Sequence, residues 1–470
     1  MTRLMQPLRD RVRIAILGGG ISGCAMAAEL GRDERVEVVL FERAPRLGGL
    51  HRSARVGAYV FDIGAFAFSD DHAIFSVFPE VRELFPRVAN RYGSIRPGGF
   101  LDDYPLTIAG IRRQFGTPFL IRALLEALAM KIHRLPRRSV REFSEYYLGP
   151  TLYRASGLQH YIERLYLASD TEIELEFAEK RLGAIALSAS VRRLLSRLAA
   201  AMLAGRDPTS ALQPLTAGEI RVRPEAGFDE VYARITSSLL DRHVELHCNC
   251  SIERIVRSDA GYRFHGAGDD RTFDGVFSTI PVEVMARLLG LEEIIAPRYM
   301  DLYSLFYECS GPLPFPHNVL HNFTQDGQWK RLTMLSRYYG PIDGKHFFTV
   351  EGTAPQGRDH EALLLCGKED FERWTREQGM LVPGLRFLDG IVTPRGYPVY
   401  QTRTARAVQQ LKHRLTKAGV VLVGRQGSFD YLSSSDAADN ARAAARQFLA
   451  GLDVRSQNLR EAIPLAGQAR

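Results

Sequence analysis

The chain has 470 residues, of which 45% are hydrophobic and 24% are charged, and its formal net charge is +7 at pH 7. This length is too great for one hydrophobic core and predicts two or three domains, while the composition is typical of a folded globular protein. The mild basic excess suits an anionic substrate or a membrane surface. Because no basic-aromatic platform or nucleic-acid motif accompanies it, nucleic acid is not expected as a partner.

The five cysteines are odd in number and scattered, which favours a reducing cytoplasm over an oxidising compartment. Cys248 and Cys250 form a C-x-C pair without a second pair or a histidine cluster, so no metal site is predicted. Residues 1–13 lack the apolar core of an export signal, and no apolar run is long enough to predict a membrane-spanning helix. We therefore expect a cytoplasmic protein.

The first strongly patterned stretch, residues 13–50, predicts a dinucleotide-binding unit. A buried parallel strand is expected over residues 14–17, and Gly18, Gly20 and Gly23 follow it in G-x-G-x-x-G spacing. The first glycine permits a tight turn, the second lets the backbone approach a pyrophosphate, and the third lets helix and strand pack closely.

Two further features complete this unit. The helix that Ile21 and Ser22 open is expected to present its N-terminal amides and positive dipole to the pyrophosphate. A second apolar run, over residues 36–41, ends on Glu42. A carboxylate at that position is placed to accept hydrogen bonds from ribose hydroxyls.

The turn after Glu42 decides between a nicotinamide and a flavin dinucleotide. Its basic, double-glycine sequence, E-R-A-P-R-L-G-G, has no role in a nicotinamide domain. It resembles the E-R-x-x-R-x-G-G stretch of the flavoenzyme superfamily that holds amine oxidases, protoporphyrinogen oxidases, phytoene desaturases and UDP-galactopyranose mutases. The resemblance implies that FAD is the cofactor and that this turn holds its pyrophosphate from a second side. The residues so assigned are Arg43, Arg46, Gly48, Gly49 and Leu50.

Segments further along the chain extend the resemblance, which is closest to the mutase-like branch. Gly64 stands in a D-x-G segment that approaches the flavin ring in the superfamily. Ile252 stands where the relatives pair a backbone group with the adenine. The backbone does that work, so an apolar side chain is acceptable there.

The C-terminal part carries the second half of the expected cofactor site. The segment G-R-Q-G-S-F-D-Y, which begins with Gly424 and Arg425, is similar to G-R-x-G-x-F-x-Y of the mutase-like and protoporphyrinogen-oxidase-like branch. Ser435 and Asp436 then begin the last helix. Its positive end is expected near the flavin or its pyrophosphate.

The resemblance covers nearly the full length and implies an α/β fold. Its parts are a discontinuous, GR2-like Rossmann-type FAD-binding domain, a helical cap and an antiparallel-sheet substrate domain. The expected boundaries are 1–70, 215–290 and 390–455 for the FAD-binding domain, 71–214 for the cap, 291–389 for the sheet domain and 456–470 for a C-terminal tail. Period-two alternation in the third of these parts also indicates a sheet.

An apolar helix with basic flanks is predicted over residues 118–132 of the cap. One interpretation is an interfacial helix with basic anchors, which would give a weak peripheral membrane contact. The favoured interpretation is an ordinary core helix of the cap. A second basic amphipathic helix, over residues 192–203, is expected to face solvent.

Two classes of function are open. In the first, an FAD-dependent oxidoreductase removes two electrons from a C–N or C–C bond of a small-molecule substrate by hydride transfer to flavin N5. The basic net charge of the chain suits an anionic substrate. In the second, a non-redox, mutase-like enzyme uses reduced FAD as a nucleophile on a sugar nucleotide. In the mutase family a histidine follows D-x-G, and this chain has Phe66 there. The family also has a pair of arginines in an R-x-P-x-R arrangement, of which this chain keeps Arg181 but has Ile185 at the second position. These departures favour the oxidoreductase; a non-catalytic flavoprotein is a third hypothesis.

The candidate substrate-pocket residues are Tyr397, Tyr400 and Arg181. Aromatic residues just before the final strand often line the flavin face in these families, although plain sheet packing is the alternative for both tyrosines. Arg181 is a candidate anion anchor, or else part of a structural ion pair of the cap. His51, beside the double glycine, is expected on a solvent-exposed loop, with a position near the flavin as the alternative.

Overall fold

The computed structural model describes residues 11–64, 67–133, 137–182, 217–268, 270–291, 297–380 and 384–461. In these residues a parallel five-stranded sheet and a large mixed sheet lie on either side of a shared cavity. Helices cover both sheets. The predicted α/β fold class, with a Rossmann-type parallel sheet and a second, mainly antiparallel sheet, is confirmed.

The described strands are β1 (Val12–Leu17), β2 (Val36–Phe41), β3 (Ser53–Val56), β4 (Tyr59–Asp62), β5 (Arg87–Arg96), β6 (Phe100–Asp103), β7 (Ala217–Arg221), β8 (Glu245–His247), β9 (Arg254–Ser258), β10 (Gly261–His265), β11 (Thr272–Phe273), β12 (Gly275–Ser278), β13 (Tyr299–Ser310), β14 (Val319–Asn322), β15 (Trp329–Thr333), β16 (Lys345–Pro355), β17 (Arg386–Pro398) and β18 (Val420–Leu422).

The described helices are α1 (Ile21–Leu30), α2 (Ala73–Val77), α3 (Ile108–Phe115), α4 (Thr117–His133), α5 (Val140–Leu148), α6 (Pro150–Ala155), α7 (Leu158–Tyr166), α8 (Leu175–Arg181), α9 (Phe228–Asp241), α10 (Val282–Leu288), α11 (Ser336–Tyr339), α12 (His360–Glu377), α13 (Thr402–Lys417), α14 (Gly424–Gly427) and α15 (Ser434–Glu461). A short 3₁₀ helix covers Pro79–Leu84.

The parallel sheet has the strand order β18-β12-β1-β2-β8. Its central strand β1 pairs in parallel with β2 on one side and β12 on the other. The last four residues of β1 are fully buried, as expected for a parallel strand that is covered on both faces. The five strands come from three separated stretches of the chain, so the carboxyl ends of distant segments meet at one edge.

The large sheet has the order β17-β13-β16-β15-β14-β5-β6, with β7 beside β5. Its neighbours are antiparallel except β14 and β5, which run parallel. The prediction of a helical cap is wrong for β5 and β6, which lie inside residues 71–214 but belong to this sheet. The reason is that β5 pairs with β14, more than 200 residues later. Local sequence pattern carries no information on such a distant partner.

Helix α1 packs between the parallel sheet and the last helix, α15. Both helices bury alanines in one apolar cluster, and small side chains let the two backbones approach closely. The alanines are Ala25, Ala27 and Ala28 on α1 and Ala438, Ala441 and Ala445 on α15. The first and last helices of the described fold are thereby held together.

A buried ion pair fastens the β3–β4 hairpin to the chain that leads into α9. The hairpin turns at Gly57, with Val56 opposite Tyr59. Arg223, whose side chain is 1% exposed, donates to the Asp62 carboxylate at 2.6 Å and to the Val60 carbonyl at 2.7 Å. Burial raises the pKa of Asp62, and the guanidinium opposes that shift.

The predicted helix over residues 118–132 exists as α4, but its orientation is the reverse of a core helix. Its buried residues are Ala123 and Ala127, and Leu120 is partly buried, whereas its other large aliphatic side chains, Ile121, Leu124, Leu125, Leu128 and Ile132, are exposed. The favoured core-helix interpretation is therefore wrong for the aliphatic face. No helix among the described residues combines the length and the apolar character needed to cross a bilayer.

Candidate functional site

A cavity of about 680 Å³ lies between the two sheets. One end is at the carboxyl edge of the parallel sheet, where β1, β2 and β12 end, and the other end lies on strands of the large sheet. The predicted cofactor residues that line it are Gly18, Gly20, Ile21, Ser22, Glu42, Gly48, Gly49, Leu50, Gly64 and Arg425. The cavity thus brings together segments as far apart in the sequence as Gly18 and Arg425.

The fingerprint glycines are required by close packing. A side chain on Gly23 would place its Cβ 1.8 Å from the carbonyl oxygen of Gly18, so only glycine lets α1 lie against the end of β1. Gly23 therefore contributes spacing and is not in the cavity lining. Gly20 is the N-cap of α1 and brings no side chain to the helix start. The first-turn amides of a helix have no partner within the helix, so this end can receive an anion.

Glu42 lies at the end of β2 and lines the cavity beside the fingerprint. One carboxylate oxygen accepts from the Gly19 amide at 2.7 Å, and the other accepts from the Ala44 amide at 2.7 Å. These two bonds hold the carboxylate in one orientation. An ionised carboxylate has further acceptor capacity on both oxygens, which is available to hydroxyl donors.

The double-glycine turn closes directly onto the fingerprint. The Gly48 amide donates to the Gly19 carbonyl at 2.8 Å. Gly49 has φ of +59°, and a Cβ there would lie 2.9 Å from the Gly20 Cα. The turn's arginines face outward: Arg43 is exposed, and Arg46 pairs with Asp229 at 2.5 Å on the surface. The backbone of the turn, not its guanidinium groups, is what reaches the cavity.

The second half of the cradle comes from the region after β18. A Cβ on Gly424, which has φ of +74°, would lie 2.4 Å from the Ser22 Oγ, so this strand end touches the start of α1. Arg425 lines the cavity, and its Nε donates to the Leu432 carbonyl at 2.7 Å. This hydrogen bond holds the guanidinium in place between the fingerprint end of the cavity and the opposite end.

The start of α15 contributes residues that differ from the predicted pair. Ser435 accepts from the Ala73 amide at 2.9 Å, and Asp436 closes a capping box with Ser433. Both predicted residues lie outside the lining, whereas Ser433 and Ser434 are in it. The difference arises because the helix begins one residue earlier than the sequence suggested.

The far end of the cavity is a basic chamber around Tyr397. The Lys330 Nζ lies 4.9 Å from the centroid of the Tyr397 ring, and the Arg425 guanidinium carbon lies 5.4 Å from it. Burial by itself raises the pKa of Tyr397, but the positive charges of Lys330, Arg425 and Arg331 outweigh it and lower the pKa to about 8. These cations therefore stabilise the phenolate form of Tyr397 relative to that of an ordinary tyrosine.

Two further groups complete the chamber floor. Arg331 is hydrogen-bonded to Glu351, a carboxylate that is fully buried under the sheet. His321 lies between Tyr104 and Tyr161, with ring centroids 4.8 and 5.7 Å away, and its Nδ1 is 3.3 Å from the Tyr161 hydroxyl. Of the chamber residues on this sheet, only Tyr397, on β17, was predicted from the sequence.

The structure also corrects the placement of His51. The predicted solvent-exposed histidine is only 4% exposed and lines the cavity. Its Nδ1 is 2.9 Å from the Tyr232 hydroxyl, and its ring stacks on Phe228. Burial, with smaller contributions from His72 and Arg425, lowers the pKa of His51 to about 3, so the ring is neutral.

Comparison with known proteins supports the same architecture. Residues 16–84 match the family profile described as an NAD(P)-binding Rossmann-like domain, and no curated protein sequence matches the chain. The structure of reduced UDP-galactopyranose mutase superposes with a TM-score of 0.72 at 16% identity, over 94% of each chain. A candidate protoporphyrinogen oxidase from Exiguobacterium sp. 255-15 gives 0.68 at 15% identity, over 93% of this chain and 98% of that one. A putrescine oxidase variant gives 0.55 at 12% identity, over 94% and 99%.

These superpositions extend well beyond the nucleotide-binding unit and include the large sheet. The chain has the fold that these solved structures share. Because a mutase and oxidases are both found with this fold, the reaction depends on the residues of the chamber and not on the fold.

Two predicted residues, Tyr400 and Ile252, stand apart from the cavity. Tyr400 is buried against Phe429 and Tyr431 and is not in the lining, although Tyr397 is. Ile252 is partly buried just after Cys250, whose amide donates to the Glu42 carbonyl, and its contact with an adenine stays a prediction.

Some predictions fall where no structure is described. The side chain of Arg181, the last residue of α8, lies outside the described part, so its role as an anion anchor stays a prediction. Phe66, Ile185 and the helix predicted over residues 192–203 also lie outside the described residues.

Proposed function

We propose that the protein is an FAD-dependent oxidoreductase that oxidises a small anionic substrate by two electrons. The observation that carries this proposal is the continuity of one cavity from the glycine fingerprint to the basic chamber around Tyr397. A cavity of about 680 Å³ is in the usual size range of ligand sites. Its two ends differ in chemistry, as a site for a dinucleotide and a separate substrate requires.

The fingerprint end fits the pyrophosphate and ribose of FAD. The start of α1 has backbone amides and no capping side chain, which suits a phosphate anion. Glu42 offers a fixed carboxylate to the ribose hydroxyls. The Gly48–Gly49 turn and the Gly424 strand end approach α1 from two sides, which supports a cofactor held between them.

The flavin ring would lie where Gly64, Arg425 and Tyr397 meet in the lining. When bound there, FAD supplies an acceptor for two electrons and a hydride at its N5 position. Arg425 brings a positive charge that stabilises negative charge on a reduced ring. The enclosing aromatic side chains, Tyr397 among them, exclude water from the substrate position.

An anionic substrate is inferred from the charges of the chamber. Lys330 is 4% exposed and lies over the Tyr397 ring, with the Arg425 guanidinium on the same tyrosine. Glu351 is hydrogen-bonded to Arg331 and balances one of these cations. Around Tyr397 the three cationic side chains Lys330, Arg425 and Arg331 outnumber the one carboxylate, Glu351, and this excess favours a carboxylate or phosphate over the cationic amine that a polyamine oxidase would bind.

The cofactor part of the proposal is tested on purified protein. We expect the absorbance bands of oxidised flavin, and we expect Glu42→Ala to retain several-fold less FAD after dialysis because the ribose loses its acceptor. Glu37→Ala on the same strand is the matched control, since Glu37 pairs with Arg13 away from the cavity. Colourless protein that takes up no added FAD would refute the proposal.

The reaction part is tested by screening anionic metabolites against the oxidised protein without oxygen. An oxidoreductase is expected to lose its flavin absorbance in proportion to the substrate consumed. A mutase-type enzyme instead requires prior reduction of the flavin and shows no net redox change. That second result would replace the oxidoreductase by the non-redox alternative.

A further inference from the structure

Helix α4 carries an exposed aliphatic stripe, defined here as Ile121, Leu124, Leu125, Leu128 and Ile132. These side chains are 48–71% exposed. At 100° per residue they share one face of the helix, over about 16 Å of its length. Among the described residues, other large hydrophobic side chains of similar exposure are single ones on separate elements, such as Leu240 on α9 and Leu365 on α12.

The opposite face of α4 shows that this exposure is built into the sequence. That face carries the buried alanines Ala123 and Ala127. Glu126 also turns toward the protein, where it accepts from the amide and hydroxyl of Thr151 at 2.9 and 2.7 Å. The helix thus turns its acid and small residues inward and its large aliphatic residues outward. An ordinary amphipathic helix of a globular domain has the reverse arrangement.

The surroundings of the stripe are strongly basic. Residues 107–138 contain seven lysines and arginines and one acidic residue, Glu126, so they account for most of the net charge of the chain. Arg112 and Arg138 are exposed on the segments before and after α4, and Arg122 is exposed beside the stripe, where it pairs with Glu126 at 2.9 Å. An aliphatic surface within a basic rim is complementary to an anionic lipid headgroup layer above an acyl interior.

The same charges argue against two other occupants. A second copy of the chain, docked across a two-fold axis, would place the same basic surface opposite itself, and like charges repel. The other possible occupant is the chain's own segment 183–216. It contains four arginines and one aspartate, so it also lacks a charge complementary to the basic surface around the stripe. Because no described helix can span a bilayer, the contact would be with the membrane surface.

We propose that α4 is an interfacial helix that docks the protein on bilayers containing anionic lipids. The stripe enters the boundary between headgroups and acyl chains, and the basic rim contacts the headgroups. The docking does not depend on FAD, so it can succeed or fail separately from the proposed function.

The test is sedimentation of the full chain with vesicles of phosphatidylcholine alone or of phosphatidylcholine with phosphatidylserine. We expect binding to the anionic vesicles and weaker binding to the neutral ones. Binding should also weaken at high salt, because the screening length falls from about 10 Å at 0.1 M to about 3 Å at 1 M. The double substitution Leu125→Gln/Leu128→Gln should lower the partition coefficient by about tenfold or more.

The matched control is Leu240→Gln/Leu365→Gln, which changes two leucines of similar exposure on other helices. It should bind like the unmodified protein, and circular dichroism should show that both variants are folded. Equal binding by the stripe variant and the unmodified protein would overturn the proposal. Failure to bind any vesicle would also overturn it. In that case, self-association that the stripe variant abolishes would identify a second copy of the chain as the partner of the stripe. A protein that stays monomeric would instead indicate that another segment of the same chain covers the stripe.

Discussion

Tyr397 is the residue at which the charge of the chamber can be measured directly. Its pKa of about 8 lies below the ordinary value of a tyrosine because Lys330, Arg425 and Arg331 stabilise the phenolate. We expect Lys330→Met to raise that pKa, since the charge of the lysine lowers it more than the charge of either arginine does. A spectrophotometric titration of phenolate absorbance measures the shift, and Tyr397→Phe should lack the transition near pH 8.

Lys345→Met is the control for this titration, because Lys345 pairs with Glu308 away from the cavity. It should leave the midpoint unchanged; an unchanged midpoint in Lys330→Met would contradict the assignment. The sign of the consequence for binding follows from the charge. As pH rises through 8, the phenolate adds a negative charge beside the cations, so KM for an anionic substrate should rise in the unmodified protein and stay flat in Tyr397→Phe.

The element that decides cofactor retention is the double-glycine turn between β2 and β3. Gly49 and Gly57 both have φ of +59°, so alanine at either position meets the same backbone strain, about 1 kcal/mol. A Cβ at Gly49 would lie 2.9 Å from the Gly20 Cα, whereas a Cβ at Gly57 would contact nothing within 4 Å. Gly49→Ala should therefore separate the turn from the fingerprint.

We expect Gly49→Ala to lose FAD several-fold more readily than the unmodified protein, and Gly57→Ala to retain it normally. The measurement is the flavin-to-protein absorbance ratio after dialysis, with thermal unfolding as the check on the fold. If both variants lost FAD equally, backbone strain and not the close approach of the two glycine turns would be the cause.

For the whole molecule, the Asp62–Arg223 pair joins the cofactor-side hairpin to the chain entering α9. Arg223 also lies over the Tyr339 ring at 4.5 Å, on the side of the large sheet. Arg223→Met would leave the buried Asp62 carboxylate without its partner, and removing one member of such a pair costs about 3–5 kcal/mol of unfolding free energy. Urea denaturation of the flavin-free protein measures this loss.

Arg87→Met is the control, because Arg87 pairs with Asp70 where both side chains are about half exposed, and exposed ion pairs contribute little. A loss as small for Arg223→Met as for Arg87→Met would show that the buried pair does not fasten the hairpin to the chain entering α9. The chain has many surface ion pairs, so this contrast isolates burial as the variable.

The FAD-type half of the site could be predicted from the sequence because its requirements are local. The G-x-G-x-x-G turn, Glu42 and the double glycine are short segments whose backbone geometry their own residues determine, and the cavity is lined by most of them. Where the predictions missed, a contact with a distant segment was responsible. Ser435 and Asp436 hold the start of α15 and the chain at Ala73, and the lining positions went to Ser433 and Ser434.

Only the tertiary structure decided the chamber and the orientation of α4. Lys330, His321 and Tyr397 lie on three different strands, and strand pairing between distant segments brings them together in the lining of one cavity. The pattern of α4 predicted a helix, but a helical pattern does not tell which face meets the protein. That choice depended on the packing of α4 against α5 and α6, where the small alanine side chains fit and leucine side chains would not.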